Sequence, residues 1–158
     1  MTLATTPLHA LHQELGAKLV PFAGYEMPLH YPTGILKEHL HTRAQAGLFD
    51  VSHMGQIVLH GARAARALET LVPVDILELP EGQLCYALFT DANGGILDDL
   101  MVANLGNDRL LLVVNAACKH HDLEHLQQHL AEECAIEALF DNRALLALQG
   151  PQAAAALS

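Results

Sequence analysis

The chain has 158 residues, 51% of them hydrophobic and only 16% charged, with no tryptophan and a formal net charge of −10. Such a length fits one domain that buries about two-thirds of the surface its unfolded form exposes, and the thin charge leaves apolar surface for a partner. Eight basic residues scattered along an acidic chain exclude nucleic acid and leave no basic cluster for an anionic ligand.

The first residues lack a basic stretch followed by an apolar one, and no run approaches eighteen apolar residues, so neither export nor a membrane span is expected. Thr6-Pro7 opens a short helix with Leu8, Leu11 and Leu15 as its apolar stripe, which Gly16 closes. Residues 18–22 read as a strand. The aromatic-rich segment 22–31 has no period and reads as a structured loop or an irregular strand. Pro32-Thr33 starts a second helix carrying Ile35, Leu36, Leu40 and Ala44, stopped by Gly47, and residues 56–60 alternate as a half-buried strand.

A third helix spans 62–72 on Leu68, Leu71 and Val72. Strands at 84–90, 95–105 and 109–115, joined by turns at 91–94 and 106–108, form an antiparallel meander. A fourth helix runs about 118–132 on Leu123, Leu126 and Leu130, and a last strand about 144–149. After it Pro151 and four alanines start a helix so short that the end reads as a cut. Interleaved helices and antiparallel strands give an α+β fold, an antiparallel sheet with packed helices.

Cys85, Cys118 and Cys134 are an odd set, widely spaced and without a Cys-x-x-Cys, the usage of reduced thiols in a cytosolic protein. No Gly-x-Ser-x-Gly, phosphate loop or Gly-x-Gly-x-x-Gly occurs. His121, His125 and His129 share a helix face at a spacing that zinc or nickel accepts, yet Glu124 is misplaced for a catalytic zinc helix. A solvated polar face is the expectation, with no metal.

The stretch Gly94-Gly95-Ile96-Leu97-Asp98-Asp99-Leu100-Met101-Val102 drives two carboxylates into an apolar strand. Side chains alternate across a strand, so the two face opposite ways and are not a dyad. One faces solvent or a loop; the other points into a core or pocket, where desolvation makes it a candidate catalytic group. The competing reading is an aspartate capping the turn at 93–95. Similarly, Asp50 and Ser52 are either turn formers that bond their own backbone or part of a site loop that the strand order brings near Asp99, and Met54 is a core filler or a site residue.

Four segments in register then resemble a known family: Pro21-Phe22-Ala23-Gly24-Tyr25-Glu26-Met27-Pro28-Leu29, Gly47-Leu48-Phe49-Asp50-Val51-Ser52-His53-Met54-Gly55, Gly94-Gly95-Ile96-Leu97-Asp98-Asp99-Leu100 and Val113-Val114-Asn115-Ala116-Ala117. They are similar to the aminomethyltransferases, the T-protein of the glycine cleavage system, and the likeness runs from about Thr6 to the 147–151 stretch. It implies transfer of a one-carbon unit from the aminomethyl-lipoyl arm of H-protein to tetrahydrofolate, with release of ammonia. It makes Asp99 the catalytic, folate-contacting carboxylate and leaves Asp98 a turn-facing or structural role. It also implies a folate wall of Met54, Val58, Tyr86, Asp99, Val113, Val114 and Asn115, with Ala103 standing where some members carry an aromatic ring.

By the same resemblance, residues 1–158 are the first half, and a little more, of a folate-binding domain built from two similar α+β halves. Members are more than twice as long, so weak folate binding, no transfer by this chain alone and self-association are the expectations. The rivals are the folate domain of a dimethylglycine- or sarcosine-oxidising enzyme and a non-catalytic folate-binding accessory protein.

Overall fold

The computed structural model describes residues 2–141 and 143–158. In chain order these form α1 (His9–Glu14), β1 (Lys18–Phe22), β2 (Tyr25–His30), α2 (Ile35–Ala44), β3 (Gly47–Asp50), β4 (Gly55–His60) and α3 (Ala64–Leu68). There follow β5 (Leu84–Thr90), β6 (Ile96–Gly106), β7 (Arg109–Val114), α4 (Lys119–Leu130), β8 (Ala135–Ala138), β9 (Leu146–Gln149) and α5 (Ala153–Leu157). They group into two compact units: one runs to His53 and takes in the C-terminal residues through Ser158, and the other is Met54–Asp141.

In the second unit the expected meander is present and extended. Its five strands lie in the order β5-β6-β7-β4-β8, every pair antiparallel. Asn107 and Asp108, both at positive φ, make the tight β6–β7 turn that matches strand twist. Register sorts the side chains. Ile57 and Leu59, Ala87 and Phe89, Leu100 and Val102, and Leu110, Leu112 and Val114 share one face. With Leu68, Leu71, Val72, Leu126 and Leu130 from the helical layer they form the apolar core. At about 25 cal/mol per Å² this burial is the unit's main source of stability.

Two elements here differ from expectation. Helix α3 is five residues rather than eleven, because Thr70 and Leu71 bond back three residues to Ala67 and Leu68 and tighten the chain before Pro73. Leu68, Leu71 and Val72 are nonetheless buried. Strand β8 was not foreseen; four residues long, it pairs along β4 and completes the sheet.

In the first unit β1 and β2 make a hairpin whose two-residue loop, Ala23-Gly24, holds both residues at positive φ. Within segment 22–31, Tyr25–His30 is therefore a strand, the irregular-strand alternative of the sequence reading, and Ala23-Gly24 is the turn before it. Strand β3 pairs with β9 in register from Gly47↔Gln149 to Asp50↔Leu146. The helix stripes expected to be core are not: Leu11 on α1, Leu15 just after it, and Ile35, Leu36 and Leu40 on α2 are exposed, Leu36 by 70%. Among the described residues nothing covers those faces.

Candidate functional site

The turn before β6 keeps its own carboxylate. Asp91 Oδ1 accepts from Asn93 N and Gly95 N, both at 2.8 Å, so the capping role considered for Asp98 or Asp99 belongs to Asp91. The β5–β6 pairing skips Leu97, with Phe89 opposite Asp98 and Thr90 opposite Ile96. This bulge sets the phase of the strand that follows. Asp98 falls in step with Leu100 and Val102, toward the helices, and Asp99 in step with Met101, on the other face. The turn-facing alternative for Asp98 is thereby corrected in favour of its structural one, and Asp99, expected as the inward carboxylate, stands on the face away from the helices.

Asp99 is held from two sides. The Tyr86 hydroxyl donates to its Oδ2 at 2.5 Å and Asn115 Nδ2 donates to its Oδ1 at 3.1 Å. Tyr86 and Leu88 stand on the same face of β5, Leu88 directly opposite Asp99. Asn115 sits one residue past β7, and its amide also reaches the Asp99 carbonyl at 3.1 Å and Asp98 Oδ1 at 3.0 Å. The hydrogen bond to Asp99, then burial and the charges of Asp99 and Asp98, push the Tyr86 phenol up. Tyr86 thus remains a donor at neutral pH.

Val58 and Val113 share that face with Asp99, while Met54 lies just before β4. Val114 does not share it. Its side chain is fully buried among the core residues of the opposite face, so toward Asp99's side it offers main chain only. Ala103 is on Asp99's face, opposite Leu84 and Leu111.

Behind the site lies a residue the sequence reading passed over. Asp122, on α4, is 1% exposed and sits one turn before Leu126 on the apolar stripe that continues to Leu130. A carboxylate at a core position of a helix was the available signal. Burial first, then the charge and hydrogen bonding of Asp98 and the charge of Asp99, push its carboxyl up to about 7. Burial and the same aspartates raise the Cys118 thiol, which therefore stays protonated and unreactive at neutral pH.

The helical histidines do not converge on a metal. Among the described residues no group of three or more His, Cys, Asp or Glu side chains is placed to hold one. His121 is exposed; His125 turns its ring edge-on to Phe89, and burial followed by its histidine neighbours lowers its pKa; His129 Nδ1 donates to the His125 carbonyl.

The first unit has a polar interior of its own. Asp50 Oδ2 accepts from Thr6 Oγ1 at 2.7 Å and His12 Nε2 at 2.8 Å; its Oδ1 accepts from Ser52 N at 2.9 Å. His12 Nδ1 meets the Tyr31 hydroxyl at 2.8 Å. Burial opposes the Asp50 charge, but the bonds from Ser52, His12 and Thr6 outweigh it and lower its pKa. Here the turn-forming reading of Asp50 and Ser52 holds: the Ser52 N–H and hydroxyl both donate to Asp50 Oδ1. A cavity of about 490 Å³ lies beside this network, lined by Leu29, Tyr31, Leu48 and Phe49 among others. None of the expected folate-wall residues lines it, whereas Tyr86 and Asn115 bond Asp99 and Val58 and Val113 share its sheet face.

A family model described as the GCVT N-terminal domain matches residues 8–158. The mitochondrial aminomethyltransferase of Dictyostelium discoideum is 45% identical over 156 residues, 94% of this chain and 38% of that relative. The aminomethyltransferase of Rubrobacter xylanophilus is 47% identical over 153 residues, 96% of this chain and 41% of its own. Among solved structures, the glycine cleavage system aminomethyltransferase T from Bartonella henselae is 49% identical and superposes with a TM-score of 0.92, covering 99% of this chain and 43% of that one. The α+β fold is the one shared with that structure. The chain spans only about two-fifths of the length of these relatives.

Proposed function

The chain belongs to the GCVT N-terminal domain family, and from that premise we propose that it supplies the first part of a tetrahydrofolate-dependent aminomethyltransferase. In this reading the one-carbon unit passes from the aminomethyl-lipoyl arm of H-protein to tetrahydrofolate and ammonia is released. Asp99 is the catalytic carboxylate. The observation that carries the reading is the grip on Asp99: Tyr86 and Asn115 fix its two oxygens on a sheet face that also presents Val58, Met101 and Val113.

That arrangement suits the chemistry. Attack by a weakly basic folate nitrogen on the aminomethyl carbon gains from a carboxylate that orients the nitrogen and stabilises positive charge as it develops. Because its donors are already in place, Asp99 need not reorganise as the charge appears. Val58 and Val113 offer apolar contact for a flat ring, and the main chain at Val114 and the Asn115 amide offer polar contact at its edge. No metal takes part. Lipoylated H-protein is the partner, and the cytoplasm is the site of action, in keeping with three free cysteines. Among the described residues no helix is long and apolar enough to cross a membrane.

The relatives are more than twice as long, so the test places residues 1–158 in front of the remainder of the Bartonella henselae protein as a chimera. Supplied with lipoylated H-protein carrying the aminomethyl arm and with tetrahydrofolate, the chimera forms ammonia and methylenetetrahydrofolate. A folded chimera that binds tetrahydrofolate yet releases no ammonia would sink the aminomethyltransferase reading and leave the folate domain of an oxidising enzyme or the accessory-protein role.

A further inference from the structure

Asp98 is the less accounted-for member of the aspartate pair. Its Oδ1 accepts from Asn115, but its Oδ2 is buried with no hydrogen-bond partner among the described residues. Asp122 Oδ2 is in the same condition, on a side chain only 2% exposed. Asp98, in step with Leu100 and Val102, points toward the helical layer in which Asp122 is buried, and it acts on the Asp122 carboxyl by charge and hydrogen bonding. Ionised carboxylates only accept hydrogen bonds, so a hydrogen bond between these two carboxyls requires a proton on one of them.

Among the neighbouring groups the Cys118 thiol also hydrogen-bonds Asp98, but a neutral, weak S–H donor does not offset a second buried charge. Facing Asp122 are Asp98 and Asp99 from β6, and Cys118 and His121 from its own helix. His121 Nδ1 is 3.9 Å from Asp122 Oδ1, beyond hydrogen-bond range, on an exposed ring. Lys119 carries its Nζ 5.2 Å from the centroid of the Phe140 ring, and His125, whose pKa is lowered by burial, packs on Phe89.

We propose that Asp122 is a positioning residue for Asp99: it shares one proton with Asp98, the Asp98 so fixed holds the Asn115 amide, and Asn115 holds Asp99. Each later link of the relay is a direct hydrogen bond, 3.0 Å from Asn115 Nδ2 to Asp98 and 3.1 Å to Asp99. Its consequence for catalysis rests on the reading of Asp99 given above; the relay itself does not. Loss of the shared proton puts a second charge beside Asp98 and releases Asn115 from its fixed orientation.

The test follows the Asn115 side-chain amide resonances of ¹⁵N-labelled residues 1–158 through neutral pH. They shift in one step with a midpoint near the Asp122 value of about 7. Asp122→Asn, whose amide donates permanently to Asp98, abolishes that step and leaves the resonances at their low-pH positions, whereas Asp122→Leu displaces them at every pH. Amide resonances that do not titrate in the wild-type chain would overturn the relay whether or not the variants fold, and so would an unchanged step in Asp122→Asn. In the chimera, wild-type kcat declines through the same midpoint and Asp122→Asn removes the decline. No folate enters the resonance measurement, so the relay can stand while the transferase reading fails, and the reverse.

Discussion

At the scale of single residues, the working geometry is a carboxylate whose two oxygens are each fixed by one donor. Tyr86 is exposed and makes one bond to it, while Asn115 bridges both aspartates. Asn115→Ala is therefore expected to lower kcat of the chimera more than Tyr86→Phe, by roughly tenfold or more, with a smaller change in KM, since a misplaced carboxylate costs more in the transition state than in binding. Steady-state kinetics on both variants checks the order; equal or reversed effects would show that Asn115 does not set the Asp99 geometry. Alternation alone put Asp98 and Asp99 on opposite faces, but the face of each depends on the bulge at Leu97, which nothing in the residue types announced. Asp122 was legible only as an oddity, a carboxylate in step with Leu126 and Leu130. Its use needs Asp98 brought across from β6, a contact between residues far apart in the chain.

At the scale of elements, the β5-β6-β7 meander and helix α4 were readable because their apolar positions repeat with the strand and helix periods. Strands β3 and β8 were not, and β2 reads from the sequence as either a loop or an irregular strand. Each is six residues or fewer, and β3 and β8 take their identity from partners distant in sequence, β9 and β4. Gly55 illustrates what pairing demands. A Cβ there would lie 2.6 Å from Val114 Cγ2 and 2.7 Å from Lys119 Cβ, so β4 packs against β7 and α4 more closely than any side chain allows. Gly55→Ala is expected to destabilise by about 1–3 kcal/mol of overpacking, read as a lower midpoint in urea at unchanged slope. Wild-type stability in that variant would refute the close approach.

At the scale of the whole molecule, two buried aspartates pull stability in opposite directions with pH. The folded pKa of Asp122 is raised to about 7, so its contribution is complete below the unfolded value near 3.8 and is lost as pH rises through about 7. Asp50 has a lowered folded pKa, and its contribution is present above its unfolded value and lost on acidification through the folded one. Thermal unfolding should find the midpoint falling as pH is raised through neutrality, and Asp122→Asn should flatten that fall; a wild-type midpoint rising through neutrality would contradict it. The exposed leucines of α1 and α2, with Leu48 and Phe49 on β3, form apolar surface of the kind that drives association. Residues 1–158 alone should therefore sediment as dimers or larger, and a monomer at all concentrations would count against that. Composition foresaw apolar surface; which faces carry it required the fold. The most direct measurement of the central claim is kcat of the chimera with Asp99→Asn, assayed with lipoylated H-protein and tetrahydrofolate. A loss of about a hundredfold or more, with the fold retained, is the outcome expected of a catalytic carboxylate, and full activity in that variant would remove Asp99 from the mechanism.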